Sequence, residues 1–207
     1  MNSVPNSPQG PAQQTRPLLP EKAREVCSLL GLDVSASPLL REGMTAEEFL
    51  AALIEQGQLT DAVTFMSCAL PKREALWWAY LCAHQSATPA VSATDAAALN
   101  AAARWVRDPS EENRRAAMPA AEATEYATPS GLVALGTFFS GGSMAPPDVD
   151  PVPPQPEFTA RSVCRAVMLA AVITEPEQAD AKYRSFLQTG LDVARRKLRW
   201  DQEPEVK

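Results

Sequence analysis

Apolar side chains recur at three- and four-residue steps along most of this chain, the periodicity of one face of an α-helix. Phe49, Leu50, Leu53 and Ile54 form such a stripe behind Thr45-Ala-Glu-Glu48, a capping-box pattern, and Gly57 ends it. Leu59, Ala62, Val63, Met66 and Leu70 share the next face. Pro71 opens a helix carrying Trp77, Trp78, Leu81 and Cys82, which fades in the Ser86–Pro89 loop. Thr94 is placed to cap a helix bearing Ala98, Ala102, Trp105 and Val106. Asp108 and Pro109 read as N-cap and first residue of a charged helix that Pro119 bends or ends. Pro129 starts a short apolar helix through Phe138 and Phe139, stopped by Gly141-Gly142.

The segment from Thr159 to Thr174 is apolar nearly all round, broken mainly by Arg165, which predicts an interior helix. Glu175-Pro176 starts the last helix, with Tyr183, Phe186, Leu187, Leu191, Ala194 and Leu198 on one face and Arg195, Arg196, Lys197 and Arg199 in its final turns. An earlier helix is expected from Pro20 to Leu30, stopped by Gly31. No segment alternates as a strand. The expected fold is all-α, a single compact bundle or short helix-pair solenoid of about seven to nine helices.

Residues 1–19 are rich in Pro, Asn, Gln and Ser and bury too little to offset ordering, so they read as a disordered tail. A single helical domain is expected over 20–200, and a flexible tail over 201–207. Six prolines (146, 147, 151, 153, 154 and 156) make 145–157 extended chain. The apolar helices flanking it are too few for two cores, which favours a strap across one domain over an interdomain linker. Arg107–Arg114 and Thr174–Lys182 share an acidic-Pro helix start, and Gly57–Ala62 looks like part of a tetratricopeptide unit. No spacing is sustained long enough to make a repeat array.

Composition narrows the function classes. Hydrophobic residues make up 45% of the chain, many of them alanine, and the net charge is −6. That balance argues against nucleic acid and against an anionic membrane surface, both of which need clustered cations. The longest apolar run, Ala166 to Ile173, is far below the ~20 residues that span a bilayer. The N-terminus lacks a charged region followed by an apolar one, so no secretory signal is read and a cytoplasmic location is expected. Cys27, Cys68, Cys82 and Cys164 form no close-spaced pair, and His84 is the only histidine, so buried reduced thiols are expected rather than a metal site.

Each candidate for chemistry has a plainer role. His84 has no nucleophile and acid around it in sequence, and a histidine at a helix end complements the dipole. Ser140-Gly-Gly-Ser143 lacks the lysine and preceding strand of a phosphate loop, and glycine is the usual helix stop. Glu47-Glu48 and Glu111-Glu112 are paired carboxylates, yet both occupy first helical turns, where acids are favoured. The helix–Gly57–helix pattern resembles a DNA-binding turn but carries Asp61 and no cation before Lys72. The cations at 195–199 match ordinary helix C-terminal complementation. No catalytic residue, cofactor site or metal site is assigned.

Trp77 and Trp78 are different. Adjacent positions on a helix point about 100° apart, so one neighbour cannot easily hide both rings. Either the helix is central, or one ring is displayed as an anchor of the kind that dominates interface hot spots. The polar first turn, Lys72-Arg73-Glu74, allows one ring inward and the other near the surface. Lys72, Arg73, Trp77 and Trp78 are therefore the candidate partner-binding residues.

Four stretches together resemble an uncharacterised family of small bacterial helical proteins: Lys72-Arg-Glu-Ala-Leu-Trp-Trp-Ala79, Arg104-Trp-Val-Arg-Asp-Pro-Ser-Glu-Glu-Asn-Arg-Arg115, Phe139-Ser-Gly-Gly-Ser-Met-Ala-Pro-Pro147 and Ala171-Val-Ile-Thr-Glu-Pro176. The resemblance covers roughly residues 45 to 195. Members look like products of type VI secretion effector loci. It implies a non-enzymatic adaptor or co-chaperone, whose partner is an effector chaperone or effector, helping to load the effector onto the secretion spike. The alternatives are an enzyme using carboxylates in an inter-helix cleft, and a toxin-neutralising immunity protein.

Overall fold

Eight α-helices follow one another among the described residues, and four of them begin at a residue whose side chain caps the first turn. The computed structural model describes residues 38–87 and 92–201, with Ala23 and Val26, which are helical and buried. The expected N-terminal tail and the rest of the Pro20–Leu30 helix lie outside the described residues, as does the 201–207 tail except Asp201.

Helix α1 is Ala46–Glu55, and Thr45 and Glu48 close the capping box in both directions. Helices α2 (Leu59–Ala69) and α3 (Lys72–Ser86) follow, separated by Leu70 and Pro71. Helix α4 runs Ala93–Arg107, and its cap is Ser92, not Thr94: the Ser92 hydroxyl accepts from the Asp95 N–H at 3.0 Å. Helix α5 runs Glu111–Glu122 with Ser110 as its cap. Asp108, expected to be that cap, instead closes α4, and its oxygens accept from the Asn113 side chain. The Asp108 side chain is taken by the Asn113 side-chain amide, and the Asn113 backbone N–H goes to Ser110. Pro119 lies inside α5, which continues three residues past it, so the proline neither ends the helix nor excludes it.

Helix α6 is Pro129–Phe138, with Thr128 as cap and proline first. Helix α7 is Phe158–Val172. A 3-10 turn at Pro176–Gln178 precedes α8, Ala179–Ala194, so the Glu175-Pro176 start is a turn earlier than the α-helix proper.

The expected interior helix is α7, but the structure gives that place to α6. Every residue of α6 is buried except Leu135, which is partly so. Helix α7 buries one face (Val163, Ala166, Val167, Ala170, Ala171) and exposes Arg161 and Arg165; Val172 and Ile173 are also exposed. The reason is the small residues of α6. Gly136 lies so close to α3 and α7 that an added Cβ would meet Leu76 and Ser162 at 3.1 Å, and at Gly131 it would clash with Thr124. Glycine lets neighbouring backbones approach, so the thinnest helix takes the centre.

The packing is that of a bundle. Helix α3 packs against α4, α6, α7 and α8, while α4, α5 and α6 pack on one another. A solenoid would restrict each pair to its neighbours in sequence. The described residues contain no strand. No helix among them is long and apolar enough to cross a membrane.

Candidate functional site

The two tryptophans part company as the 100° turn between them requires, but neither is displayed. Trp78 is fully buried and points at α8, where its indole N–H donates to the Phe186 carbonyl at 2.7 Å. Gly190 makes room for it, because a Cβ there would sit 3.1 Å from the indole nitrogen. Trp77 is only 3% exposed, which corrects the expectation of a surface ring.

Trp77 does, however, belong to an outward row. Arg73, Trp77, Tyr80 and His84 succeed one another at i+4, i+3 and i+4, the spacing of one helix face. The Trp77 and Tyr80 rings stack at 4.9 Å, and Tyr80 and His84 at 6.0 Å. Exposure rises along the row, from buried Trp77 through half-buried Tyr80 to exposed His84.

Trp77 is covered by the chain's own C-terminal segment. Its indole N–H donates to the Leu198 carbonyl at 3.2 Å, and the Arg73 guanidinium lies 4.5 Å from the centre of the Trp200 ring. This segment was expected to be helix. Instead α8 ends at Ala194 and Arg196 turns left-handed at φ 56°. The Arg196 and Lys197 N–H groups return to the Val193 and Asp192 carbonyls, a Schellman turn with arginine where glycine is usual. Periodicity carried Leu198 onto the helix face; the turn leaves its side chain 40% exposed while its carbonyl meets Trp77. Arg195 to Arg199 therefore lie beyond the helix they were read into. The Arg199 guanidinium holds the Asp201 carboxyl below its ordinary range.

Of the four candidate residues, Trp77 faces the row, Trp78 the core, and the two cations hold helix ends. Arg73 donates to the Val106 and Arg107 carbonyls at 2.7 and 3.0 Å, closing α4. Lys72 donates to the Ser140 carbonyl at 3.1 Å beyond α6.

A second cation cluster was not singled out in sequence. Arg114 is 2% exposed, with its guanidinium 4.7 Å from the centre of the Phe138 ring. It donates to Glu111, to the Phe138 carbonyl and to the Ser143 carbonyl. Arg115 adds bonds to Glu111 and to the Ser143 and Ala145 carbonyls. The Glu111 carboxyl is held below its usual range, first by its bond from Arg114. Glu111 is thus spent on clamping the Gly141-Gly142 turn and the start of the proline-rich strap. Ser143 continues the clamp, its hydroxyl accepting from Ala145 and Val152. The signal in sequence was an i, i+3, i+4 Glu-Arg-Arg spacing, which by itself describes a solvated helix face.

Glu48 is held in its capping box. Among the described residues no group of His, Cys, Asp and Glu is arranged to hold a metal. Burial pushes the Cys82 thiol up, and the Cys164 thiol too.

The fold and these ties define an all-α protein in which the Trp77–Tyr80–His84 row of α3 is closed at Trp77 by the segment that follows α8. The chain belongs to a family of unknown function, DUF6931, which matches residues 49–194. The match takes in the aromatic row and ends at the last residue of α8, before the covering segment. No curated protein and no solved structure matches the chain.

Proposed function

We propose that this protein is a non-enzymatic, protein-binding accessory, an adaptor or co-chaperone whose partner docks on the Trp77–Tyr80–His84 row. The observation that supports it is the way the row is covered. On its outer side Trp77 is closed by a short irregular segment, through one indole-to-carbonyl bond and, beside it, one Arg–Trp stack. Such a segment is drawn from the low-stability end of a fold and opens without unfolding the rest. The segment also describes its replacement. A partner that supplies a backbone carbonyl to the Trp77 indole, an aromatic ring to Arg73 and an apolar residue beside them would reproduce what Leu198 and Trp200 provide.

The four sequence stretches that resemble proteins of type VI secretion effector loci support one identity for that partner, an effector chaperone or its effector. The work of the complex would then be loading the effector onto the secretion spike.

The test is affinity capture from the native host with three forms of the tagged protein. The wild type should retain an effector chaperone or effector. Trp200→Ala, which loosens the cover, should retain more of it. Trp77→Ala should lose it while keeping a cooperative melt. Equal capture by all three forms would sink the docking site, and an effector-free catch would sink the secretion role.

A further inference from the structure

The proline-rich strap begins with a loop that is tied shut at its base and exposed at its tip. The Met144 N–H donates to the Val152 carbonyl at 2.8 Å, and the Ser143 hydroxyl accepts from the Ala145 and Val152 N–H groups. Arg114 and Arg115 hold the Ser143 and Ala145 carbonyls beneath it. At the tip the Val149 N–H returns to the Pro146 carbonyl. Residues 146–153 are all exposed. A loop closed by another helix's side chains and stiffened by proline has lost its freedom before any partner arrives.

The tip presents one chemistry. Val149 is 51% exposed and stands between Asp148 and Asp150, whose exposed carboxylates make no hydrogen bond or ion pair among the described residues. The segment after α8 presents the reverse. Leu198 is 40% exposed, and the exposed Arg195 and Arg196 guanidinium groups make no hydrogen bond or close ion pair among the described residues. Their neighbours do: Lys197 is paired with Asp192, and Arg199 with Asp201. Both patches lie toward the start of α3, where Lys72 donates to the Ser140 carbonyl just before the loop and Arg73 lies on the Trp200 ring.

We infer that these patches are the two halves of a contact between two copies of this chain. The loop of one copy sets Val149 against Leu198 of the other, and Asp148 and Asp150 face Arg195 and Arg196. Each copy carries both halves toward one end, so the contact forms twice about a two-fold axis. The net charge of −6 repels one copy from another at long range, but physiological salt screens that beyond about 8 Å and leaves the local pairing. The patches are small, so the dimer is weak and reversible. It uses the outward side chains of the segment, not the carbonyl that meets Trp77, and does not rest on the docking proposal.

Sedimentation velocity of the full chain, from micromolar to millimolar concentration, tests it. The wild type should shift reversibly toward twice the monomer mass as concentration rises. Asp148→Arg with Asp150→Arg should weaken association about tenfold or more, because exposed pairs on both sides of the axis turn from attraction to repulsion. Arg195→Glu with Arg196→Glu should do the same. Mixed in equal amounts, the two variants should associate as the wild type does, since each loop then meets opposite charge. All these positions are exposed, so every variant should melt as the wild type does. Arg195→Gln with Arg196→Gly, glycine suiting the φ of 56° there, is the second variant if glutamate disturbs the turn, and it too should weaken association. A wild type that stays monomeric at millimolar concentration overturns the inference. So does a dimer that survives either reversal, or a mixture that fails to associate.

Discussion

Two parts of this molecule are held together in opposite ways. Around Trp78 the core is built of large side chains: Phe49 and Phe65 meet edge to face at 5.0 Å, and Phe186, Leu187, Met66 and Leu76 enclose the indole's end of the bundle. Between α4, α5 and α6 the buried cluster is alanine alone, Ala98, Ala101, Ala117, Ala121 and Ala134. A buried aromatic removes roughly 150–250 Å2 from water, worth about 4–6 kcal/mol at 25 cal/mol/Å2. An alanine methyl contributes about 1 kcal/mol on the same scale. The aromatic half is held by area, and the alanine half by closeness. Closeness leaves no spare volume, so the two halves should fail under opposite substitutions.

The largest effect expected is a charge placed in the large-residue half. Val167→Asp puts a carboxyl at a fully buried position of α7 and should cost about 4 kcal/mol or more, seen as loss of a cooperative thermal melt. Trp78→Ala should cost about 3–5 kcal/mol, because rigid helices on every side keep the cavity open. Trp77→Ala should cost less, since the 195–201 segment can settle into the space. A denaturant titration showing equal losses for the two would erase the distinction between the core ring and the covered ring.

In the alanine half the sign of the size change reverses. Ala121→Leu should destabilise by about 1–3 kcal/mol through overpacking between α5 and α6, while Ala121→Gly, a loss of volume, should cost little beyond the ~1 kcal/mol helix propensity of glycine. A leucine tolerated without loss would show that the seam is loose and that small residues are incidental there.

The smallest effect concerns the clamp that ties this half to the strap. Glu111 has a folded-state pKa below its ordinary value, so its contribution is present above the unfolded pKa and is lost as pH falls through the folded one. Acid titration of the wild type should show a modest loss of stability that begins below about pH 4.3. Glu111→Gln should flatten that part of the profile. An unchanged acid limb in the variant would mean that Arg114 is held by the carbonyls of Phe138 and Ser143 without its carboxylate.

Sequence by itself determined the helical class, the order of the helices and about half of their ends. These rest on information within a few residues: the Thr45–Glu48 capping box, Pro129 after Thr128, the apolar face of α2, the glycines at 57 and 141–142. It also determined that Trp77 and Trp78 must face different neighbours, since that follows from the helix turn alone. Where local signals competed, the nearest pattern misled. Ser92 and Ser110 took the caps expected of Thr94 and Asp108, and Arg196 turned the chain without a glycine to announce it. What only the tertiary structure decided depends on distance between backbones. The glycines of α6 let it displace α7 from the centre. A carbonyl 121 residues away closes on Trp77. Neither of these has a local signature, because a residue's hydrogen-bonding partner or close neighbour across the bundle leaves no periodicity in the chain that carries it.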